Sequence, residues 1–143
     1  MESESIQIEG QYDQIQSVRE LVQRAAEQAD FSSKEAYACQ LAVSEALENI
    51  IRHGYGQQVH NHIQVTVSNQ PGELTIELTD DAAPFNPTDN RKSRKWTIDD
   101  PPIGGLGIHI IHAIMDDVEY EREADKNRLK LRKKKTETFE STE

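Results

Sequence analysis

A chain of 143 residues holds one domain around one core, and 35% hydrophobic with 29% charged residues is the composition of a soluble globular protein. A net charge of −10, from 26 acidic against 16 basic residues, repels phosphate backbones, so no direct nucleic-acid partner is expected. No apolar run approaches the ~20 residues a membrane-spanning helix needs, which excludes a membrane role of that kind.

The opening MESESIQIEG has neither a basic nor an apolar leader region, and the single Cys39 forms no intrachain disulfide; both fit a cytoplasmic protein. Residues 5–10 (SIQIEG) alternate polar and apolar and predict a short edge strand. From Tyr12 to Ala29 the apolar positions Ile15, Val18, Leu21, Val22, Ala25 and Ala29 recur at helical spacing. Asp30 to Ser33 break that helix. Ser32 or Ser33 caps a second one, with Glu35 early against the helix dipole, and it runs to about His53, where Gly54 ends it.

Residues 61–69 and 73–80 alternate with period two about a turn at Gln70, Pro71 and Gly72, which predicts a hairpin. Asp81 to Ile103 carries Pro84, Pro87, Pro101 and Pro102 among polar residues, longer than an ordinary connection, and a loop of that kind is usually functional. A third helix starts near Gly107, and VEYERE with NRLKLRKK forms a last hairpin about Ala124 to Lys126. The basic run Lys130, Arg132, Lys133, Lys134 and Lys135 alternates in part with Leu129 and Leu131 and reads as a strand end with a solvated face. The domain is expected over 1–135, with 136–143 a disordered acidic tail. This order of elements fits an α+β two-layer sandwich, with a mixed, mostly antiparallel sheet and helices on one face.

Three clusters carry chemistry. At ~100° per residue, Glu45, Asn49 and His53 share one arc of the second helix, opposite Val43, Leu47, Ile50 and Ile51. A glutamate can take a proton there and an asparagine oxygen can ligate Mg2+, although an ordinary solvated helix face has the same spacing. Thr79 to Pro87 (TDDAAPFNP) places a carboxylate at a strand end, where it can accept a hydrogen bond from an exocyclic amine or simply serve the turn. Gly104, Gly105 and Gly107 precede an apolar helix, so backbone can approach a phosphate at a helix N-terminus; a tight helix entry is the plainer alternative. The GxxxxGK[ST] lysine and the GxGxxG spacing are both lacking.

With LAVSEALENIIRHGYG, DDAAPFNP and IGGLGIHIIHAIMDDVEYER in that order, the sequence resembles the GHKL ATPase superfamily with its Bergerat ATP-binding fold. Within it, the likeness is to the anti-sigma-factor serine/threonine kinases, from about Ile6 to Lys134. The resemblance implies ATP and Mg2+, with Glu45 as general base toward a serine or threonine hydroxyl and Asn49 as the Mg2+ ligand. It implies that Asp80 reads the adenine amine, that Gly104, Gly105 and Gly107 present backbone to the phosphates, and that His53, Ala82 and Phe85 complete the nucleotide site. Residues 88–103 would form a lid that excludes water and favours transfer over hydrolysis. The implied partners are an anti-anti-sigma protein of the STAS type as phosphorylation substrate, a sigma factor or similar regulator as the sequestered client, and often a second copy of the chain.

Two positions depart from the family pattern. Ala82 stands where a glycine is usual, so its Cβ either crowds the nucleotide or asks for a different backbone angle. Asn127 and Arg128 stand where a threonine usually contacts adenine, so that contact is lost or replaced. The alternative reading is a nucleotide-gated binding module that transfers no phosphate. A histidine-kinase-like catalytic fragment is a third, with no phosphoacceptor helix ahead of the domain in this sequence. His109 and His112, three apart on a helix, lack a third ligand at metal-binding spacing, and Trp96, beside Arg94 and Lys95 in the lid, either packs it down or anchors a partner.

Overall fold

The computed structural model describes residues 2–55, 62–82 and 106–136. In chain order they form strand β1 (Glu2–Glu9), a 3₁₀ turn (Tyr12–Gln14), helices α1 (Ile15–Gln28) and α2 (Ser33–Asn49), and a π-helical turn (Ile50–Tyr55). Strands β2 (His62–Gln70) and β3 (Glu73–Asp80), helix α3 (Leu106–Ile114), and strands β4 (Asp117–Glu123) and β5 (Lys126–Lys134) follow. The first strand therefore starts earlier than its alternation suggested, because Glu2 to Ser5 pair with Thr66 to Asn69 in the sheet while their side chains stay exposed, with Ser3 and Ser5 hydroxyls bonded across to Ser68 and Thr66.

The sheet has the order β1-β2-β3-β5-β4, and each pairing is antiparallel; the sheet expected to be mixed has no parallel pair among the described strands. Period-two alternation turns Ile63, Val65 and Val67, Leu74, Ile76 and Leu78, and Leu129 and Leu131 to one face. They pack beneath Val18, Leu21 and Val22 of α1, Val43 and Leu47 of α2, and Ile111 of α3 in one buried core. The result is the two-layer α+β sandwich with helices on a single face.

Local chemistry sets the element ends. Asp30, at φ 71°, closes α1 in a Schellman motif: Asp30 N–H donates to Glu27 O at 3.0 Å and Phe31 N–H to Ala26 O at 2.9 Å. Ser32 caps α2 in a capping box, its Oγ accepting from Glu35 N–H at 3.1 Å while Ser32 N–H donates to Glu35 Oε1 at 3.2 Å. Thr136, assigned to the tail by sequence, donates its N–H to Glu35 Oε2 at 2.7 Å. Pro71 and Gly72 join β2 to β3, with Gly72 at φ 76°, where the second central position of a type II turn requires it.

Gly54 does not end α2. The helix widens into the π-helical turn directly after Asn49 and carries on to Tyr55. An extra residue in that turn breaks the 100° step on which the placement of His53 depended.

Part of the basic run lies on the open face of the sheet, as one rail of a cross-strand ladder, whereas Lys133 turns to the helix side and donates to Ile114 O at 3.1 Å. Arg128, Lys130 and Arg132 stand opposite Glu121, Glu119 and Asp117 of β4. Arg132 reaches Asp117 at 2.6 Å and Glu73 at 3.7 Å; Arg128 reaches Glu121 at 3.1 Å and Glu77 at 3.8 Å. Acidic strands flank these cations on both sides and cancel the local field a nucleic acid would need.

Candidate functional site

The site is built where α2 meets α3. Gly107, the second residue of α3, lies against Glu45 of α2: a Cβ placed on Gly107 would collide with Glu45 Oε1 and come within 3.4 Å of its Cδ. The first and third sequence clusters thus meet in space, and glycine is what lets the helix start approach the carboxylate. Burial raises the pKa of Glu45, the negative Glu48 raises it further, and Arg52 pulls against both. Arg52 is itself paired with Glu48 at 3.7 Å.

Asn49 lies one turn beyond Glu45 and is only 5% exposed, so at this position the helix face is not the ordinary solvated one that its spacing alone also allowed. Its Nδ2 is the one buried side-chain nitrogen or oxygen without a hydrogen-bond partner among the described residues. Leaving such a donor unsatisfied costs about 1–3 kcal/mol, a cost that a bound oxyanion or a hydrated cation would remove. An amide offers a donor at one end and a hard oxygen at the other, and both suit a metal-bound phosphate.

Asp80 ends β3 and is 5% exposed. Its Oδ1 accepts from Ala82 N–H at 2.9 Å and from Asn127 Nδ2 at 2.8 Å. Burial raises the Asp80 pKa; the Asn127 and Ala82 donors oppose this, the charge of Asp81 adds to it, and Arg122 opposes it. Ala82 is buried with the core and lies outside the left-handed region, so of the two outcomes of losing the glycine, a special backbone angle is not needed. Its carbonyl accepts from Arg122 Nη1 and Asn127 Nδ2, each at 3.0 Å.

Sequence reasoning marked Asn127 only as a departure and missed Tyr120 and Arg122 altogether. Tyr120 OH and Arg122 Nη1, the latter at 2.9 Å, both donate to Asn127 Oδ1. The available signal was register: once the last hairpin is placed, Arg122 and Asn127 are cross-strand partners and Asn127 faces Asp80.

The backbone of His53 belongs to the π-helical turn, whereas its side chain lies outside the described residues. Phe85, Gly104, Gly105 and the proposed lid over 88–103 with Trp96 also lie outside them. No helix among the described residues is long and apolar enough to cross a membrane. Cys39 is buried and its thiol is pushed up to about 12, chiefly by that burial, so it is a packing residue rather than a nucleophile.

An anti-sigma F factor of Clostridium botulinum (strain Eklund 17B / Type B) is 33% identical over 95 residues, which cover 65% of this chain and 66% of that protein. A serine-protein kinase RsbW of Bacillus mycoides (strain KBAB4) is 32% identical over 84 residues, covering 55% of this chain and 52% of the relative. The chain thus spans between about half and two thirds of the length of these relatives. The crystal structure of the RsbU and RsbW domains of a Mycobacterium tuberculosis protein superposes with a TM-score of 0.65 at 14% identity, over 94% of this chain and 32% of that one; this likeness is one of fold. Residues 8–133 match the histidine kinase-like ATPase domain, and with that match running from the first strand to the last, the chain belongs to this family.

Proposed function

We propose that the protein is an ATP- and Mg2+-dependent serine/threonine protein kinase and anti-sigma factor, acting in the cytoplasm. Its substrate would be a STAS-type anti-anti-sigma protein and its client a sigma factor or similar regulator, with the kinase domain spanning residues 1–135, as a monomer or a homodimer. The observation that carries the reading is the contact of Glu45 with Gly107 beside the buried Asn49 Nδ2, which has no hydrogen-bond partner among the described residues. A base, a close backbone approach at a helix start and a buried donor without a partner among the described residues are the parts a phosphoryl-transfer site needs, and together they support this reading.

In this reading Asn49 holds the metal, the start of α3 at Gly107 holds phosphate through its free N–H groups, and Asp80 accepts from the adenine amine. When bound, the magnesium triphosphate would supply the transferable phosphoryl group, with the metal offsetting part of its negative charge. Glu45 takes the proton of the acceptor hydroxyl as that oxygen bonds to the γ-phosphorus and the bond to ADP breaks. Desolvation of Glu45 suits this task, because a carboxylate with a raised pKa is the stronger base.

The test is Glu45→Gln, read by calorimetry with MgATP and by phosphate incorporation into a STAS-type partner. A kinase loses transfer by about a hundredfold or more and keeps its ATP affinity. If the wild type binds MgATP and grips its partner in response, and no phosphate transfers in either form, the protein is a nucleotide-gated binding module. If the wild type binds no MgATP, neither reading stands.

A further inference from the structure

We propose that Asn127 is a positioning residue for base recognition, holding the carboxylate of Asp80 in the one orientation that reads an exocyclic amine. The proposal rests on Asp80 as the base-reading group and adds how this chain aims it.

Asn127 is 5% exposed and stands opposite Asp80 in the β3–β5 register. Both ends of its amide are engaged. Oδ1 accepts from Tyr120 OH and from Arg122 Nη1, and the guanidinium, which can only donate, fixes this end of the amide as the oxygen. Nδ2 is thereby turned to Asp80 Oδ1 at 2.8 Å and to Ala82 O at 3.0 Å. Together with the Ala82 N–H, two donors converge on the single oxygen Oδ1 of Asp80. The plane of the carboxylate is set, and Oδ2 takes no part in these bonds.

A carboxylate only accepts, so an Asp80 fixed in this way selects a ligand that presents a donor. A hydroxyl at position 127 would have one proton to give, whereas the carboxamide has two and serves Asp80 and the Ala82 carbonyl at once. Arg122 bonds to that same carbonyl at 3.0 Å, so the last hairpin clamps the whole Asp80 to Ala82 turn. Asn127 thus holds this turn twice, through the Asp80 carboxylate and through the backbone carbonyl of Ala82.

The experiment compares MgATP with the magnesium complex of purine riboside triphosphate, the same nucleotide without its 6-amino group. The full chain is titrated calorimetrically as wild type, Asp80→Asn, Asn127→Thr and Asn127→Val; threonine and valine share a shape and a strand preference, and only threonine keeps a donor. Wild type is expected to prefer ATP by about tenfold or more, and Asp80→Asn to lose that preference. Asn127→Thr should retain most of it. Asn127→Val should lose it while binding the amine-free nucleotide as wild type does.

A preference that survives in Asn127→Val overturns the proposal, and so does equal weakening toward both nucleotides, which would mark a merely structural residue. Asn127→Ala, which removes the donor with less steric demand, decides the matter if valine at this buried site prevents folding: a reduced preference with purine riboside triphosphate still bound as by wild type supports the proposal, and an unchanged preference overturns it. If wild type shows no preference at all, the reading of Asp80 fails and takes this inference with it. If Asp80→Asn loses the preference and Asn127→Val keeps it, only the role of Asn127 falls.

Discussion

Gly107 on α3 and Glu45 on α2 are in such close contact that the smallest side chain added to the glycine would collide with the carboxylate oxygen of its neighbour. The obstructing atom is the tip of a flexible side chain, so Gly107→Ala is resolved by swinging Glu45 away rather than by parting two helices. Alanine also favours helix over glycine by about 1 kcal/mol. Stability is therefore expected to change by less than about 1 kcal/mol, while phosphate transfer falls on the order of a hundredfold through a misplaced base. Thermal unfolding and a transfer assay on one preparation check this. A large drop in stability with transfer intact would mean that the contact is packing alone.

Asn49→Ala separates the site from the scaffold in the opposite way. Asn49 Nδ2 is buried with no partner among the described residues, so deleting the amide is expected to remove a burial cost of about 1–3 kcal/mol and to leave a small cavity in exchange. The unfolding midpoint without ligand should stay within a few degrees of wild type, by the roughly 2–8 °C per kcal/mol typical of domains of this size. The stabilisation by MgATP, about 2.7 kcal/mol at a hundredfold excess over Kd, should vanish. A variant still stabilised by MgATP would remove Asn49 from the binding site.

The pH profile of transfer follows from the surroundings of Glu45. Burial and the nearby Glu48 raise its pKa, and Arg52 lowers it. A base works only when ionised, so kcat/KM should fall as pH drops through that raised value, at a higher pH than for an ordinary glutamate. Arg52→Gln removes the opposing cation and should move the acid limb up in pH; Glu48→Gln removes the repelling anion and should move it down. Shifts in the reverse sense, or none, would assign the limb to another group.

The elements and core were legible in the sequence because their signals are local. Leu74, Ile76 and Leu78 alternate, Val18, Leu21 and Val22 recur at helical spacing, and Ser32 or Ser33 with Glu35 marks the start of α2. The meeting of Glu45 with Gly107 was not legible, since it depends on how α3 packs against α2. The two residues nevertheless stood out singly, as a carboxylate on a helix and a glycine at a helix start. Register is also invisible without pairing, which is why Tyr120 and Arg122 went unmarked and why the basic run of β5 had no visible partner until Asp117, Glu119 and Glu121 lay beside it. The failure at Gly54 has a different cause. Glycine usually stops an α-helix, but here the wider π-helical turn begins four residues earlier, at Ile50, and passes through it.

Asp80 should show a conflict between stability and recognition. Its pKa is raised, chiefly by burial, so the folded state holds the proton to a higher pH than the unfolded chain does. In the window from the ordinary aspartate value up to the raised one, the folded state binds more protons, and stability falls as pH rises through it. Above that window the loss is complete, so at neutral pH the ionised carboxylate weakens the nucleotide-free fold. Asp80→Asn keeps an oxygen to accept from Asn127 and Ala82 without the charge. The variant is expected to unfold at a higher temperature than wild type at pH 7, with the advantage shrinking as pH is lowered through the window and wild type becomes protonated. It should also lose its preference for a base carrying an amine. Denaturant titrations at several pH values, paired with nucleotide binding, measure both effects. A variant less stable than wild type at pH 7 would mean that the two hydrogen bonds to the ionised carboxylate outweigh the cost of burying it.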